Sequence, residues 1–169
     1  MDEVFVFGSN EAGRHGAGAA RYAAQHLGAQ YGVGFGPTGK CFAIPTKDFN
    51  INKLNLHSVK FYVDMFLVYA RENPTVPFRL TPIGCGLASF TVEEIVPLFD
   101  DAPANVLPPD PNFDEISKEF YEAFIERLPR GRPSLSDQQE EGSPDARSGD
   151  GEDATGLSLH LLHLGEAPR

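Results

Sequence analysis

The sequence predicts an α/β protein with a mostly parallel sheet, and three observations carry that expectation. Short apolar runs rich in β-branched and aromatic residues alternate along the chain with longer stretches of helical periodicity. Two glycine-rich turns, at 8–18 and 84–86, follow directly after two of those runs. Pro, Gly and Asn separate the segments at short intervals. Strands alternating with helices imply helices on both faces of the sheet, a three-layer α/β/α arrangement.

The first run, Val4 to Phe7, predicts a strand that stops at Gly8-Ser9-Asn10. The alanine-rich stretch after Gly18 predicts a helix, with His26 at core-facing spacing. Cys41-Phe42-Ala43-Ile44-Pro45 reads as a second strand closed by its proline. From Leu56 to Arg71, Val59, Tyr62, Val63, Phe66, Leu67 and Ala70 recur at helical spacing. Phe78 to Ile83 reads as a third strand between Pro77 and Gly84-Cys85-Gly86. Thr91 and Glu94 match the capping-box pattern, predicting a helix from Val92 to about Phe99. Asn105 to Leu107 reads as a short fourth strand. Ile116, Phe120, Tyr121, Phe124 and Leu128 share one face of an amphipathic helix.

One segment imitates a phosphate loop. Gly34 to Cys41 fits G-x-x-x-x-G-K, yet Cys41 stands where the magnesium-binding Ser or Thr belongs. No strand precedes it and a strand follows it, so a nucleotide triphosphatase is set aside. Tyr31 or Phe35 in this region offers a ring to a base.

The 169 residues fit one domain over 1–129 and an acidic tail over 130–169. The tail is rich in Ser, Gly, Pro, Gln, Asp and Glu, a composition that predicts disorder, apart from the apolar stretch Leu157 to Leu164. Net charge is −10, and residues 1–129 carry sixteen acids against ten bases. That balance argues against grasping a nucleic-acid backbone, which requires phosphate neutralisation. Two cysteines and no secretory signal predict a reducing, cytoplasmic setting, and no run is long enough to span a bilayer. No zinc spacing, nucleophile elbow or calcium loop is present, so neither metal nor cofactor is expected.

The opening unit carries the functional signal. A strand, a glycine turn and a helix in that order bring unpaired N–H groups and the positive end of a helix dipole to one point, which suits phosphate. Both glycine turns lie at the carboxyl edge of the expected sheet, where ligands of open α/β folds bind.

On these residues the chain resembles the macro-domain family, modules that bind ADP-ribose and in some members hydrolyse it. Asn10 followed by Gly13-Arg14-His15-Gly16-Ala17-Gly18-Ala19-Ala20 is similar to that family's first loop and helix. Leu80 to Phe90 is similar to its second loop, which closes on an aromatic and wraps a diphosphate. More narrowly, the opening and Ile44-Pro45-Thr46-Lys47 resemble small phage and bacterial proteins. The likeness spans about 4–107 and is carried by two short blocks. Arg14, His15 and Ala17 stand where the family's hydrolases often have an acid or a third glycine. Binding is therefore expected ahead of hydrolysis.

The resemblance implies a role for each loop residue, with an architectural alternative beside it. Asn10 orients the distal ribose or the scissile bond, or else bonds its own turn. Gly8, Ser9, Gly13, Gly16, Ala17 and Gly18 approach the ribose and phosphate, or else pack helix on sheet. Gly84, Gly86, Leu87 and Ala88 wrap the diphosphate, with a Ser89 hydroxyl on phosphate and Phe90 over a ribose. Cys85 is a small residue between glycines before it is a nucleophile. Arg14 and His15 contact phosphate or shuttle a proton, or else form a solvated loop tip. Lys47 pairs with phosphate. Asp48 meets an adenine amino group or positions a water, and with Asn10 forms the catalytic pair if bond cleavage occurs.

Three readings follow. The first is a binder, sensor or sponge of an ADP-ribose-like molecule, free or attached to a macromolecule. The second is an ADP-ribosyl hydrolase, and the third a protein-interaction module without a ligand.

Overall fold

The computed structural model describes residues 2–129; the tail expected at 130–169 and its apolar stretch lie outside the described residues. The elements are β1 (Val4–Asn10), α1 (Gly18–His26), β2 (Gly36–Thr38), β3 (Cys41–Lys47), α2 (Leu56–Glu72), β4 (Phe78–Leu80), α3 (Val92–Ile95), β5 (Val106–Leu107) and α4 (Glu115–Glu126). They build an α/β fold on a five-stranded sheet of order β2-β3-β1-β4-β5. β1 pairs in parallel with both β3 and β4, and β5 continues in parallel beside β4. The antiparallel exception is β2 against β3.

Alternation along the strands sorts side chains to two faces. Val6, Phe42, Ile44, Phe78 and Leu80 pack with Val59, Phe66, Phe120 and Phe124 from α2 and α4 in the larger cluster. Phe7, Cys41 and Ala43 pack with Ala20 and Ala23 of α1 in the smaller one. Alanines on α1 bring that helix close to the strands. Phe66 has no exposed surface and meets the rings of Phe42, Phe78 and Phe99. Truncation of such a side chain to Ala costs about 3–5 kcal/mol. On the α2 side, Asn105 Nδ2 lies 2.9, 2.9 and 3.0 Å from the carbonyl oxygens of Ala70, Asn73 and Val76, tying the end of α2 to β5.

Several boundaries differ from the sequence expectation. β1 and β3 run on through Asn10 and Lys47, because the ladder continues across Gly8–Ile44 and Ser9–Pro45. Beyond the proline the pair is held by the Thr46 hydroxyl, which donates to the Ser9 carbonyl at 3.3 Å. The helix after Thr91 keeps its capping box but tightens to a 3₁₀ turn at Val96–Phe99, where Pro97 stands in its first turn. The phosphate-loop imitation is a hairpin: β2, a turn at Gly39 with φ 56°, then β3. His26 is exposed against the ring of Tyr22 rather than core-facing, since Ala20 and Ala23 supply the buried side of α1.

The crossing that matters is β3–α2–β4. β3 lies on one side of β1, and the chain then passes over to lay β4 on the other side. The carboxyl ends of β1 and β4 therefore flank the switch point of the sheet, where a crevice opens. Among the described residues no helix is long and apolar enough to cross a membrane.

Candidate functional site

A cavity of about 1000 Å³ opens at that edge. It is lined from β1 by Gly8, Ser9 and Asn10, from the loop before α1 by Arg14, Gly16 and Ala17, and from α1 by Gly18. Lys47 and Ile51 line it on the β3 side; Gly84, Gly86, Leu87 and Ala88 line it after β4. The two glycine loops thus meet around one space.

The first loop is held by Asn10. Its Nδ2 donates to the Arg14 carbonyl at 2.8 Å and its Oδ1 accepts from the Arg14 N–H at 2.9 Å. The asparagine closes its own turn while remaining on the cavity wall. Glu11 is fixed from outside by the Tyr62 hydroxyl, which donates to Oε2 at 2.6 Å. At Gly13 the backbone is left-handed (φ 68°), and a Cβ there would overlap the Gly32 backbone. Gly13 therefore serves loop-on-loop packing and is absent from the cavity wall. Gly16 and Gly86 differ. Neither has a positive φ; a Cβ at Gly86 would meet nothing within 4 Å, and one at Gly16 only the Tyr31 hydroxyl at 3.8 Å. Neither backbone torsion nor protein packing asks for glycine at these two points of the wall.

His15 is neither a solvated tip nor a cavity group. It is 2% exposed, between the rings of Phe7 and Tyr31 with centroids at 5.4 and 5.6 Å. Its Nε2 lies 3.0 Å from the Gln30 carbonyl, so that nitrogen carries the proton and donates; the buried Nδ1 makes no hydrogen bond. Burial holds the imidazole pKa below its usual value, against the opposing effect of the Gln30 and Val33 backbone. Tyr31 covers His15 and Phe35 packs on Phe42 and Tyr62, so neither ring lines the cavity.

Four other sequence candidates also point away. Asp48 Oδ1 accepts from the Asn50 and Asn52 N–H groups at 2.9 Å each, within its own turn. The Cys85 thiol is pushed up to about 12 by burial, with Glu119, Glu93 and Glu94 adding to it, a setting opposite to that of a nucleophile. Phe90 is buried in the larger core cluster, its ring 3.0 Å from where a Gly84 Cβ would stand. Ser89 has φ 60°, and its carbonyl accepts from Lys53 Nζ at 3.2 Å, while the same ammonium sits 4.1 Å over the Phe90 ring. After Gly86, Leu87 and Ala88 line the cavity and Ser89 and Phe90 do not.

Electrostatically the middle of the cavity is set for an anion. α1 is preceded by Ala17 at its N-cap, which supplies no side-chain cap, and no acid occupies its first turn. Asn55, Thr91 and Asp114 cap the other helices through their side chains. Gly16 to Ala20, which include the first turn of α1 with its N–H groups lacking helical partners, line the cavity. Arg14 and Lys47 line the same region, and neither is ion-paired to a described residue.

No family model, curated protein or solved structure matches the chain.

The cavity also continues to a part that the motifs did not reveal. Past β4 and β5 it is lined by Arg79, Asp110, Phe113 and Asp114, and on the α1 side by Phe5 and Tyr22. Arg79 makes a bidentate pair with Glu3, at 3.0 and 2.6 Å, and donates to the Pro108 carbonyl. The hydrogen bonds from Arg79 hold the Glu3 carboxyl below its usual pKa. Phe113 is 81% exposed between Asn112 and Asp114. A large aromatic in a polar loop was the one sequence signal for this end. Among the described residues no cluster of three His, Cys, Asp or Glu is placed to hold a metal.

Proposed function

We propose that the cavity binds ADP-ribose or a related nucleoside-diphosphate ribose, in a three-layer fold of macro-domain type. The uncapped N-terminus of α1, opening between Arg14 and Lys47, carries this reading. The diphosphate sits there, approached by backbone at Gly16 and Gly86. The base lies toward β5, where Phe113 offers a ring face and the Asp110 and Asp114 carboxylates accept from an exocyclic amine. The terminal ribose lies toward Asn10 and β3. A volume of about 1000 Å³ suits a ligand of that size.

Binding is favoured over hydrolysis by the position of the carboxylates. Those on the wall are kept from Asn10 and Lys47: Asp110 and Asp114 follow β5, two strands from β1, and Glu3 precedes β1 at the end opposite to Asn10. Asp48 faces its own loop, so any water attacking the terminal ribose would draw its base from the substrate's phosphate. The function is therefore that of a reader or sequestering protein for a nucleotide signal, free or attached to a macromolecule.

Isothermal titration of the full chain with ADP-ribose, ADP, ATP and NAD tests this. Micromolar binding selective for ADP-ribose, weakened in Gly16→Ala, supports it. Absence of heat with all four ligands overturns it.

A further inference from the structure

Ile51 stands at φ 67°, in the left-handed region that β-branched side chains avoid. A turn needing only that conformation would carry Gly or Asn, and asparagines stand immediately on both sides, at Asn50 and Asn52. The loop is built to hold the unfavourable residue in place. Asp48 Oδ1 accepts two backbone N–H groups, from Asn50 and Asn52; the Ile51 N–H donates to the Asp48 carbonyl at 3.1 Å, and Lys47 bridges Lys53 across the base. The side chain so presented is half-buried, yet it belongs to neither core cluster. It lines the cavity instead, on the β3 side of the α1 N-terminus and opposite the Phe113 end. Strain kept at a residue that adds nothing to the core, on the wall of a cavity, is a mark of function.

We propose that Ile51 is a specificity-determining contact: its apolar side chain packs against the terminal sugar of the ligand, beyond the phosphates. The proposal rests on the nucleoside-diphosphate ribose reading given above. It also assigns Asp48 the task of holding Ile51 in its strained conformation.

The full chain and its Ile51→Asn, Ile51→Gly and Ile51→Ala variants are compared by thermal unfolding and by titration with ADP-ribose and with ADP, which lacks the terminal ribose. Ile51→Asn should keep or raise Tm, because Asn accepts the left-handed conformation, and Ile51→Ala should leave it unchanged or slightly raised, because Ala is less hindered there than a β-branched side chain. In Ile51→Asn and Ile51→Gly, affinity for ADP-ribose should fall about tenfold while affinity for ADP changes less than about twofold. Equal affinity of wild type and Ile51→Asn for ADP-ribose overturns the proposal alone. So does a clear fall in Tm for Ile51→Asn and Ile51→Ala alike, which would make the side chain part of the fold. Equal losses for both ligands would move the contact off the sugar and likewise overturn it. A wild-type chain that binds neither ligand removes the functional reading itself, and Ile51's role with it.

Discussion

Asn10 and Arg14 hold each other through two hydrogen bonds, amide to carbonyl at 2.8 Å and N–H to amide oxygen at 2.9 Å. This pair sets the path of the loop that leads into α1. Asn10→Ala leaves the Arg14 peptide without either partner at a half-buried position, with a stability cost of about 1–3 kcal/mol. Asn10→Asp keeps the acceptor and places a carboxylate against the Arg14 carbonyl, which should be worse for the loop than its size suggests. Both variants should weaken ADP-ribose about tenfold or more, since the ligand must then order the loop as it binds. Full affinity in Asn10→Asp would show that the loop is ordered without the pair.

The glycines divide into two groups with opposite phenotypes. Gly13→Ala must force a Cβ into the Gly32 backbone at φ 68° and should cost about 2–3 kcal/mol of stability. Gly16→Ala and Gly86→Ala have room and ordinary torsions, so their Tm should stay within about 2 °C of wild type. Their methyl groups would instead stand between backbone and ligand and reduce affinity. Thermal unfolding and titration of the three variants separate architecture from contact; a Tm loss at Gly86 equal to that at Gly13 would reverse the assignment.

Both thiols should be inert near neutral pH. Burial pushes Cys41 up to about 11 and burial with nearby carboxylates pushes Cys85 to about 12, so almost no thiolate is present at pH 7.5. Iodoacetamide should label neither in the folded protein and both in denaturant, by mass spectrometry. Cys85→Ser should bind ADP-ribose as wild type does, which fast native labelling at Cys85 would call into question.

The longer elements were legible because a single local rule wrote them. The apolar spacing of Val59, Val63, Phe66, Leu67 and Ala70 is α2, and Thr91 with Glu94 is the start of α3. β2 was not legible: Gly36-Pro37-Thr38 has no strand character, and only pairing with β3 extends it. The same pairing carries β1 through Gly8-Ser9-Asn10, where composition alone suggests a turn. At the site, the meeting of the two glycine loops followed from strand–turn order. Which residues of each loop face inward did not, because turn torsions follow no fixed repeat; hence Leu87 lines the wall while Phe90 enters the core. The Arg79, Asp110 and Phe113 end joins segments distant in sequence through β4–β5 pairing, which leaves no local pattern.

His15 gives the fold an acid-sensitive point next to the binding loop. Its pKa is lowered in the folded protein by burial between Phe7 and Tyr31, so the native state holds fewer protons at this residue than the unfolded chain does below about pH 6.5. Stability contributed by neutral His15 is complete above that pH. It declines as the pH falls from the ordinary value toward the depressed one, and levels off below the latter. Protonation would place a charge between two aromatic rings in this buried site, and so destabilise the loop that His15 anchors. Tm measured from pH 8 to 5 should therefore fall more in wild type than in His15→Phe, which fills the same aromatic site without a titrating group. ADP-ribose affinity should fall over the same range in wild type and hold in His15→Phe. Parallel Tm profiles for the two proteins would place the acid sensitivity elsewhere in the chain.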